Sequence, residues 1–557
     1  MSTLSTDPAI APLEPPDRLY RLLALAIALL ALLVRIGMAW RTHATGEDAL
    51  ITLRYAENLA RGQGFVFNPG ERTLGTTTPL YTLLLALFAW LHLDAMTLGK
   101  ACNILADSLT CWLLAHLLAR REIGQPVAGL FAALLYALTS TPISVSISGM
   151  ETGLVTCVGV GMILAYVAQH ERALYALGAV LFLLRIDGLL LFGMLAVALA
   201  LHTRRIPWSA LGIGILLILP WLAFSFAYFG SPVPTSLVAK LAVYAHRDAA
   251  SPTLPNLPAF LTQFTQGWVQ KALTLLFLLG LGGVISPQRT QRDTEEDTEK
   301  SISRKEYGEC KAEEVSHAKT QRRKEEKGAF SFFSLCSSVS SVVKSSPLVV
   351  PMLWLVVYYG AMLTSRVPAF GWYFLPPWPL FVAGVALGGA WLVRWAGQWR
   401  SAALGRKGGL VWGVALAMVA LAGLAHLGAV RRDIAEAQRL EDALRRPMGV
   451  WLGEQVGPDE RILLEPIGYV GYYSRRRLLD IIGLVSPEVL PSYRTEEPLP
   501  DIVQRLHPEW LCLRRREAAL LEAARRYHFE QDYRLVQTFA IPGAEPFVIY
   551  RRRSPDP

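Results

Sequence analysis

Charge is scarce in this chain: Asp, Glu, Lys and Arg make up 18% of 557 residues, against 52% hydrophobic ones. That balance excludes a soluble chain of this length, and with it disorder or a collagen-like repeat. Cysteine is scarcer still, six residues at 102, 111, 157, 310, 336 and 512 without pairing or metal-ligand spacing, which argues against a disulfide scaffold and a zinc site. No internal repeat relates two halves of the chain. The formal net charge of +9 is not gathered on a folded surface, so no nucleic-acid partner is expected. The basic residues stand instead beside the ends of apolar runs, as at Arg120-Arg121, Arg204-Arg205 and 394–407, where cytoplasmic loops of polytopic proteins carry them.

What is present is apolar sequence in lengths that cross a lipid bilayer. A crossing helix takes roughly 20 apolar residues, and such runs lie at 19–40, 97–119, 125–142, 152–168, 172–184, 188–202, 207–228, 270–286, 346–364, 371–393 and 409–430. The first is expected to be an anchor rather than a cleaved signal peptide. Residues 172–202 read as two helices meeting at the polar break Arg185-Ile186-Asp187-Gly188. The run 79–92 is near the lower limit for a crossing; as an interfacial helix it leaves Arg120-Arg121, 170–172, Arg204-Arg205 and 394–407 all inside. The expected fold is an all-α polytopic plasma-membrane protein of about 11 transmembrane helices over 19–430, with a cytoplasmic tail at 1–18.

Chemistry is expected in the longer extracytoplasmic segments, 41–96, 143–151, 229–269 and 431–557. On the inside lies an insert, 287–345; between 288 and 327, 22 of 40 positions are charged, 11 of each sign, so nothing there can form a core. It is expected to be a disordered, tolerated loop, with a regulatory binding segment as the rival reading. After residue 430, strand-like runs at 461–465, 478–482, 510–513 and 546–551 alternate with helical stretches at 431–446 and 517–527, which predicts a compact extracytoplasmic α/β domain. The stretch GYVGYY at 468–473 lacks the third glycine of a dinucleotide fingerprint, and its glycines are expected to be turn residues.

The most informative segment is 45–72, TGEDALITLRYAENLARGQGFVFNPGER. Glu47 and Asp48 open an expected helix where the chain leaves the bilayer, and the field of a helix amino terminus favours their ionised forms. A carboxylate beside a bound hydroxyl can take its proton as that oxygen attacks. Equally, Thr45 and Asp48 have the spacing of a capping box, in which Asp48 would only satisfy backbone donors.

The order Glu47-Asp48, Arg54-Tyr55, Asn58, Gly62, Gly64, Asn68-Pro69-Gly70-Glu71, then 75–80 (GTTTPL), resembles the first extracytoplasmic loop of GT-C superfamily integral-membrane glycosyltransferases, especially the arabinofuranosyltransferase and mannosyltransferase-like branch. Residues 148–152 (SGMET) and 184–188 (LRIDG) resemble the family's Gly-Leu-Glu-Thr and Arg-Pro-acid-Gly elements. The resemblance implies transfer of a sugar from a polyprenyl-phosphate donor to a glycan, lipid or protein acceptor on the extracytoplasmic side, usually with inversion. It implies no certain cofactor and leaves a divalent cation open. It places the essential acid at Glu47 or Asp48; Asp48 is the preferred base, with Glu47 orienting an acceptor hydroxyl or helping to bind a cation.

A leaving phosphate asks for cations where negative charge grows, and the candidates are Arg54, Arg185, Lys240 and Arg366. Arg185 is the strongest, since intramembrane charge at a helix break normally faces a polar cavity; its bland alternative is a salt bridge to Asp187. For Lys240 the bland alternative is snorkelling to the interface. Candidate acceptor contacts are Glu151, Tyr55, Asn68, Asp187 and Tyr373, although Glu151 is also explained by opening a helix. The tryptophans and tyrosines at 40, 90, 208, 221 and 372–373 suit an interfacial belt, with stacking of some of them on sugar rings as the second reading. A transporter or flippase of lipid-linked sugars is the main rival. A non-catalytic scaffold, the third reading, would tolerate Gln and Asn at positions 47 and 48.

Overall fold

The structure is a computed structural model that describes residues 18–245, 254–265, 268–285, 346–399, 403–495, 497–524 and 529–553. The insert 287–345 and, but for its last residue, the tail 1–18 lie outside the described residues. The expected apolar runs form helices, among them Arg18–Thr42, Ala95–Ala119, Glu171–Leu184, Gly188–Thr203, Trp208–Phe229 and Val349–Thr364. The run 125–142 bends: Pro126–Leu138 and Ser140–Ser146 meet at 57°, with Thr139 extended between them. The polar break comes where expected, because Arg185 leaves the helical region (φ −159°, ψ 130°) and ends Glu171–Leu184. Five described helices are long and apolar enough to cross a membrane, six if the bent pair counts as one, and further apolar helices are shorter. The protein is therefore multi-pass.

One polar knot sits inside the bundle. Arg35 and Asp107 are fully buried and paired at 2.5 Å. The Tyr136 hydroxyl donates to the same carboxylate, and Arg35 Nη1 donates to the carbonyls of Ala31 and Ala137 at 3.2 and 3.0 Å. Three helices are thereby pinned by one ion pair, which the low dielectric makes strong when complete and costly when broken.

The helix Ala403–Leu440 runs on through a π-helical turn, Glu441–Arg445, into Arg446–Gln455, and so enters the terminal α/β unit. A π turn re-aims the side chains it carries; here it brings Arg445 Nη1 to 3.7 Å from Glu47. Five strands follow, β1 (Arg461–Leu464), β2 (Arg477–Asp480), β3 (Trp510–Arg514), β4 (Tyr533–Phe539) and β5 (Phe547–Arg552), in the order β2-β1-β3-β5-β4. The first three are mutually parallel, while β5 runs antiparallel to both β3 and β4. The four expected strands are present. β4 is unanticipated because, as an edge strand with its middle five residues exposed, it carries no apolar alternation. One core joins this sheet to the first loop: Ile51, Tyr55, Phe65 and Phe67 pack with Met448, Val470, Leu478 and Trp510.

Asp107→Asn leaves Arg35 buried without its counter-charge and should destabilise the protein by about 3–5 kcal/mol, read as a lower melting temperature in detergent. The double change Arg35→Met with Asp107→Leu should regain most of that loss. A single variant as stable as the wild type contradicts the pairing.

Candidate active site

The motif-bearing segment folds as the helix Glu47–Ala60. Its N-cap is Gly46, and no side chain caps it, so the capping box between Thr45 and Asp48 is not made. Thr45 is engaged elsewhere, its hydroxyl receiving Lys100 Nζ at 2.9 Å. Glu47 turns toward the terminal unit and caps a different helix, Gly468–Ser474: its Oε1 accepts from the backbone N–H of Gly468 at 2.5 Å and of Tyr469 at 3.2 Å. Burial pushes the Glu47 carboxyl up to about 8, against Arg445 and those two N–H groups, which favour the anion.

Gly468 and Gly471, expected in turns, are close-approach residues of this helix instead. A Cβ on Gly468 would lie 2.2 Å from the Glu47 carbonyl oxygen, and one on Gly471 would meet Leu478, Phe67 and Arg54 at 2.9–3.0 Å.

Asp48, the next residue, turns into a cavity of about 250 Å³ that Glu47, Lys240, Trp372, Arg445, Glu465, Asp480 and Arg514 also line. No hydrogen bond or ion pair holds its carboxylate among the described residues. Burial raises its pKa, opposed by Lys240 and Arg185.

The terminal unit's contribution follows from its topology. Glu465 follows β1, Asp480 closes β2 and Arg514 closes β3, so all three stand at the carboxyl ends of the parallel strands. With β2 and β3 on opposite sides of β1, this is where open α/β sheets form ligand crevices. Asp480 also organises its own loop, accepting from the backbone of Ile482 and Leu484 at 2.9 and 2.6 Å; burial pushes its carboxyl up to about 7. Arg514 is ion-paired with Glu465 and, at 2.8 Å, with Glu517.

A second cavity, of about 500 Å³, adjoins the first and shares Lys240 with it. Its polar lining includes Arg185, Asp187, Tyr358 and Tyr373, and its apolar lining includes Leu190, Leu237, Leu241 and Met362. Arg185 makes the foreseen salt bridge to Asp187 at 2.9 Å and a second to Glu151 at 3.5 Å, yet still lines the cavity. Its guanidinium lies 5.4 Å over the Tyr373 ring, and Lys240 Nζ donates to the Tyr373 hydroxyl at 3.4 Å. Asp48, Lys240, Arg185, Asp187 and Tyr373 are thus gathered from four separate segments, with Glu151 buried behind Arg185.

Three other expected site residues are brought together elsewhere. Arg54 donates to the carbonyls of Phe67, Gly471 and Arg476 at 2.8, 2.6 and 2.6 Å. Asn68 pairs with both backbone groups of Leu478, at 2.9 and 3.1 Å. Tyr55 donates to the Thr73 carbonyl at 2.8 Å. Arg54 and Asn68 clamp the first loop to the terminal unit, Tyr55 braces the loop internally and packs in the shared core, and none of the three lines either cavity. Arg366 is exposed and lines neither cavity. Sequence reasoning missed Glu465, Asp480, Arg514 and Arg445; the available signal was an acid or a base at each of three strand ends.

A family profile described as "Domain of unknown function (DUF8728)" matches residues 432–554. The terminal beta-(1->2)-arabinofuranosyltransferase of Mycobacterium tuberculosis is 29% identical over 245 residues, 39% of this chain and 38% of that protein. The crystal structure of ArnT from Cupriavidus metallidurans bound to undecaprenyl phosphate is similar over 96% of this chain and 98% of its own, with a TM-score of 0.54 at 12% identity. Its apo state gives 0.55 over 95% and 97%, also at 12%. The archaeal oligosaccharyltransferase AglB from Archaeoglobus fulgidus, in complex with an inhibitory peptide and a dolichol-phosphate, is similar over 96% of this chain and 74% of its own, with a TM-score of 0.50 at 13% identity. The fold is that of the GT-C superfamily.

Glu47→Ala leaves two buried N–H groups without an acceptor and should cost about 1–3 kcal/mol, whereas Glu47→Gln keeps an oxygen there and should cost less. Because the folded pKa is raised from 4.5 to about 8, the wild type should gain its full share of stability below 4.5 and lose it as pH rises through 8. Melting temperatures that fall between those limits for wild type but not for Glu47→Gln would bear this out; parallel profiles would not.

Proposed function

We propose that this protein is a glycosyltransferase that moves a sugar from a polyprenyl-phosphate donor to an acceptor hydroxyl, at the extracytoplasmic face of the plasma membrane. The observation that carries the reading is that Asp48, whose carboxylate has no hydrogen-bond or ion-pair partner among the described residues, lines the smaller cavity together with Lys240, a cation that also lines the larger one. In this reading the larger cavity takes the donor, its apolar walls against the first isoprenoid units and Arg185, Lys240 and the Tyr373 hydroxyl around the phosphate. The smaller cavity takes the acceptor.

The acceptor oxygen attacks the anomeric carbon from the side opposite the phosphate as Asp48 takes the hydroxyl proton. The bond from the anomeric carbon to the phosphate oxygen breaks, its electron pair staying on the phosphate. Lys240 and the buried Arg185 meet that growing charge, and such stabilisation is stronger for groups held out of bulk water. One displacement inverts the anomeric configuration. Glu151 and Asp187 hold the Arg185 guanidinium in place, and Glu47 acts through the terminal unit rather than on substrate. The matching topology has eleven crossings, the amino terminus inside and residues 431–557 outside. The arabinofuranosyltransferase similarity and the lipid phosphate bound to ArnT support the same class of donor.

The test is transfer by the purified protein in nanodiscs with a panel of polyprenyl-phosphate sugars. Asp48→Asn should lower kcat by roughly 10²–10⁴-fold with donor binding kept, while Lys240→Met should weaken donor binding as well as turnover. Since the base acts as its anion and burial raises its pKa, activity should fall on the acid side at a pH above that at which an exposed aspartate titrates. Full turnover in Asp48→Asn removes this acid from the mechanism, and no turnover with any donor favours the transporter reading.

A further inference from the structure

Of the acceptor classes open to such an enzyme, the geometry points to one: we infer that the smaller cavity takes an uncharged sugar, stacked on Trp372 with its hydroxyls among Asp48, Glu465 and Arg514. This rests on the proposed transfer only in calling the ligand an acceptor; the binding chemistry stands apart from it.

Three observations carry the inference. The first is size: about 250 Å³ is below the roughly 300–1,000 Å³ of ordinary small-molecule sites, which suits a single ring. The second is the wall. Phe370 and Trp372 stack with ring centroids 4.7 Å apart and planes at 5°, a rigid aromatic pair in the wall of a cavity whose lining also mixes apolar residues, Ile51, Pro466, Ile467, Ile482 and Leu484, with the charged groups. A sugar ring offers a matching surface, with apolar C–H groups on one face and hydroxyls around its edge.

The third is the state of the charges. Each terminal-unit cation on the cavity is already paired: Arg514 with Glu465 and Glu517, Arg445 with Glu441 at 2.7 Å and Glu47 at 3.7 Å. Lys240 stands at the boundary with the larger cavity, bonded to Tyr373. Apart from Lys240, which faces both cavities, each lining cation among the described residues already has a carboxylate partner, and an anion on the acceptor would be brought beside Asp48 and Glu465 at a cost. Ionised carboxylates keep spare lone pairs when paired, so Glu465 and Asp48 can accept from neutral hydroxyls. Set at the carboxyl ends of β1 and β3, Glu465 and Arg514 are specificity-determining residues supplied by the terminal unit.

The experiment measures equilibrium binding to the full-length protein in nanodiscs without donor, so that transfer plays no part. The probes are neutral arabino- and manno-oligosaccharides, the same oligosaccharides with the terminal primary alcohol oxidised to a carboxylate, and a Ser/Thr-containing peptide. Wild type should bind the neutral oligosaccharides at least about tenfold more tightly than the carboxylated ones. Trp372→Ala should weaken neutral binding by roughly 3–10-fold, with Trp372→Phe restoring part of it. Preference for the carboxylated probe or the peptide, no binding of any oligosaccharide, or unchanged affinity in Trp372→Ala overturns the proposal. Should Trp372→Ala not fold, Trp372→Phe and the wild-type comparison of charged and neutral probes still decide. Binding as expected with no transfer from any donor would leave the sugar site standing and remove the enzyme reading.

Discussion

Glu47 and the two backbone N–H groups that it holds, on Gly468 and Tyr469, form the joint on which the site depends. Successive residues on an α-helix point about 100° apart. With Glu47 committed to the terminal unit, Asp48 is left facing the cavity. The approach is close because neither Gly468 nor Gly471 carries a side chain. Arg54 and Asn68 reinforce the joint with hydrogen bonds to backbone across more than 400 residues of sequence. Ile51, Tyr55, Phe65 and Phe67 seal it with apolar contact. The terminal unit is therefore half of the site rather than an appendage, since the same joint sets the carboxyl ends of β1, β2 and β3 over Asp48.

Electrostatics divides the two cavities. Low dielectric penalises any buried charge that lacks a partner, and the bundle obeys this at Arg35 and Asp107. Around the larger cavity the rule is relaxed in steps. Arg185 is held by two carboxylates and so fixed in direction, whereas Lys240 has the Tyr373 hydroxyl at a long 3.4 Å. Asp48 has no hydrogen-bonding or ionic partner among the described residues. Incomplete pairing costs stability, and it leaves one cation and one anion available on either side of the place where a bond would be exchanged.

Much of the architecture was legible because apolar length and helix breaks are local signals: the helices, the break at Arg185 and four of five strands follow from the residues themselves. The segment that carries chemistry was legible too, through Glu47 and Asp48 and the order of residues after them. What could not be read was direction. Spacing shows that Arg54 and Asn68 belong with Asp48 but not that they serve as a clamp, because the partners they clamp lie beyond residue 470. A glycine that permits close approach looks, in sequence, like one that permits a turn. Glu465, Asp480 and Arg514 are far apart along the chain, and only the parallel pairing of three short strands brings them together.

The most direct test of the account is an experimental structure of the protein in nanodiscs with a polyprenyl phosphate bound. The phosphate is expected in the larger cavity, within hydrogen-bonding distance of Lys240 Nζ and the Arg185 guanidinium, with Asp48 facing it across the boundary of the smaller one. A phosphate seated away from both cations, or an Asp48 carboxylate turned into a salt bridge elsewhere, would contradict it.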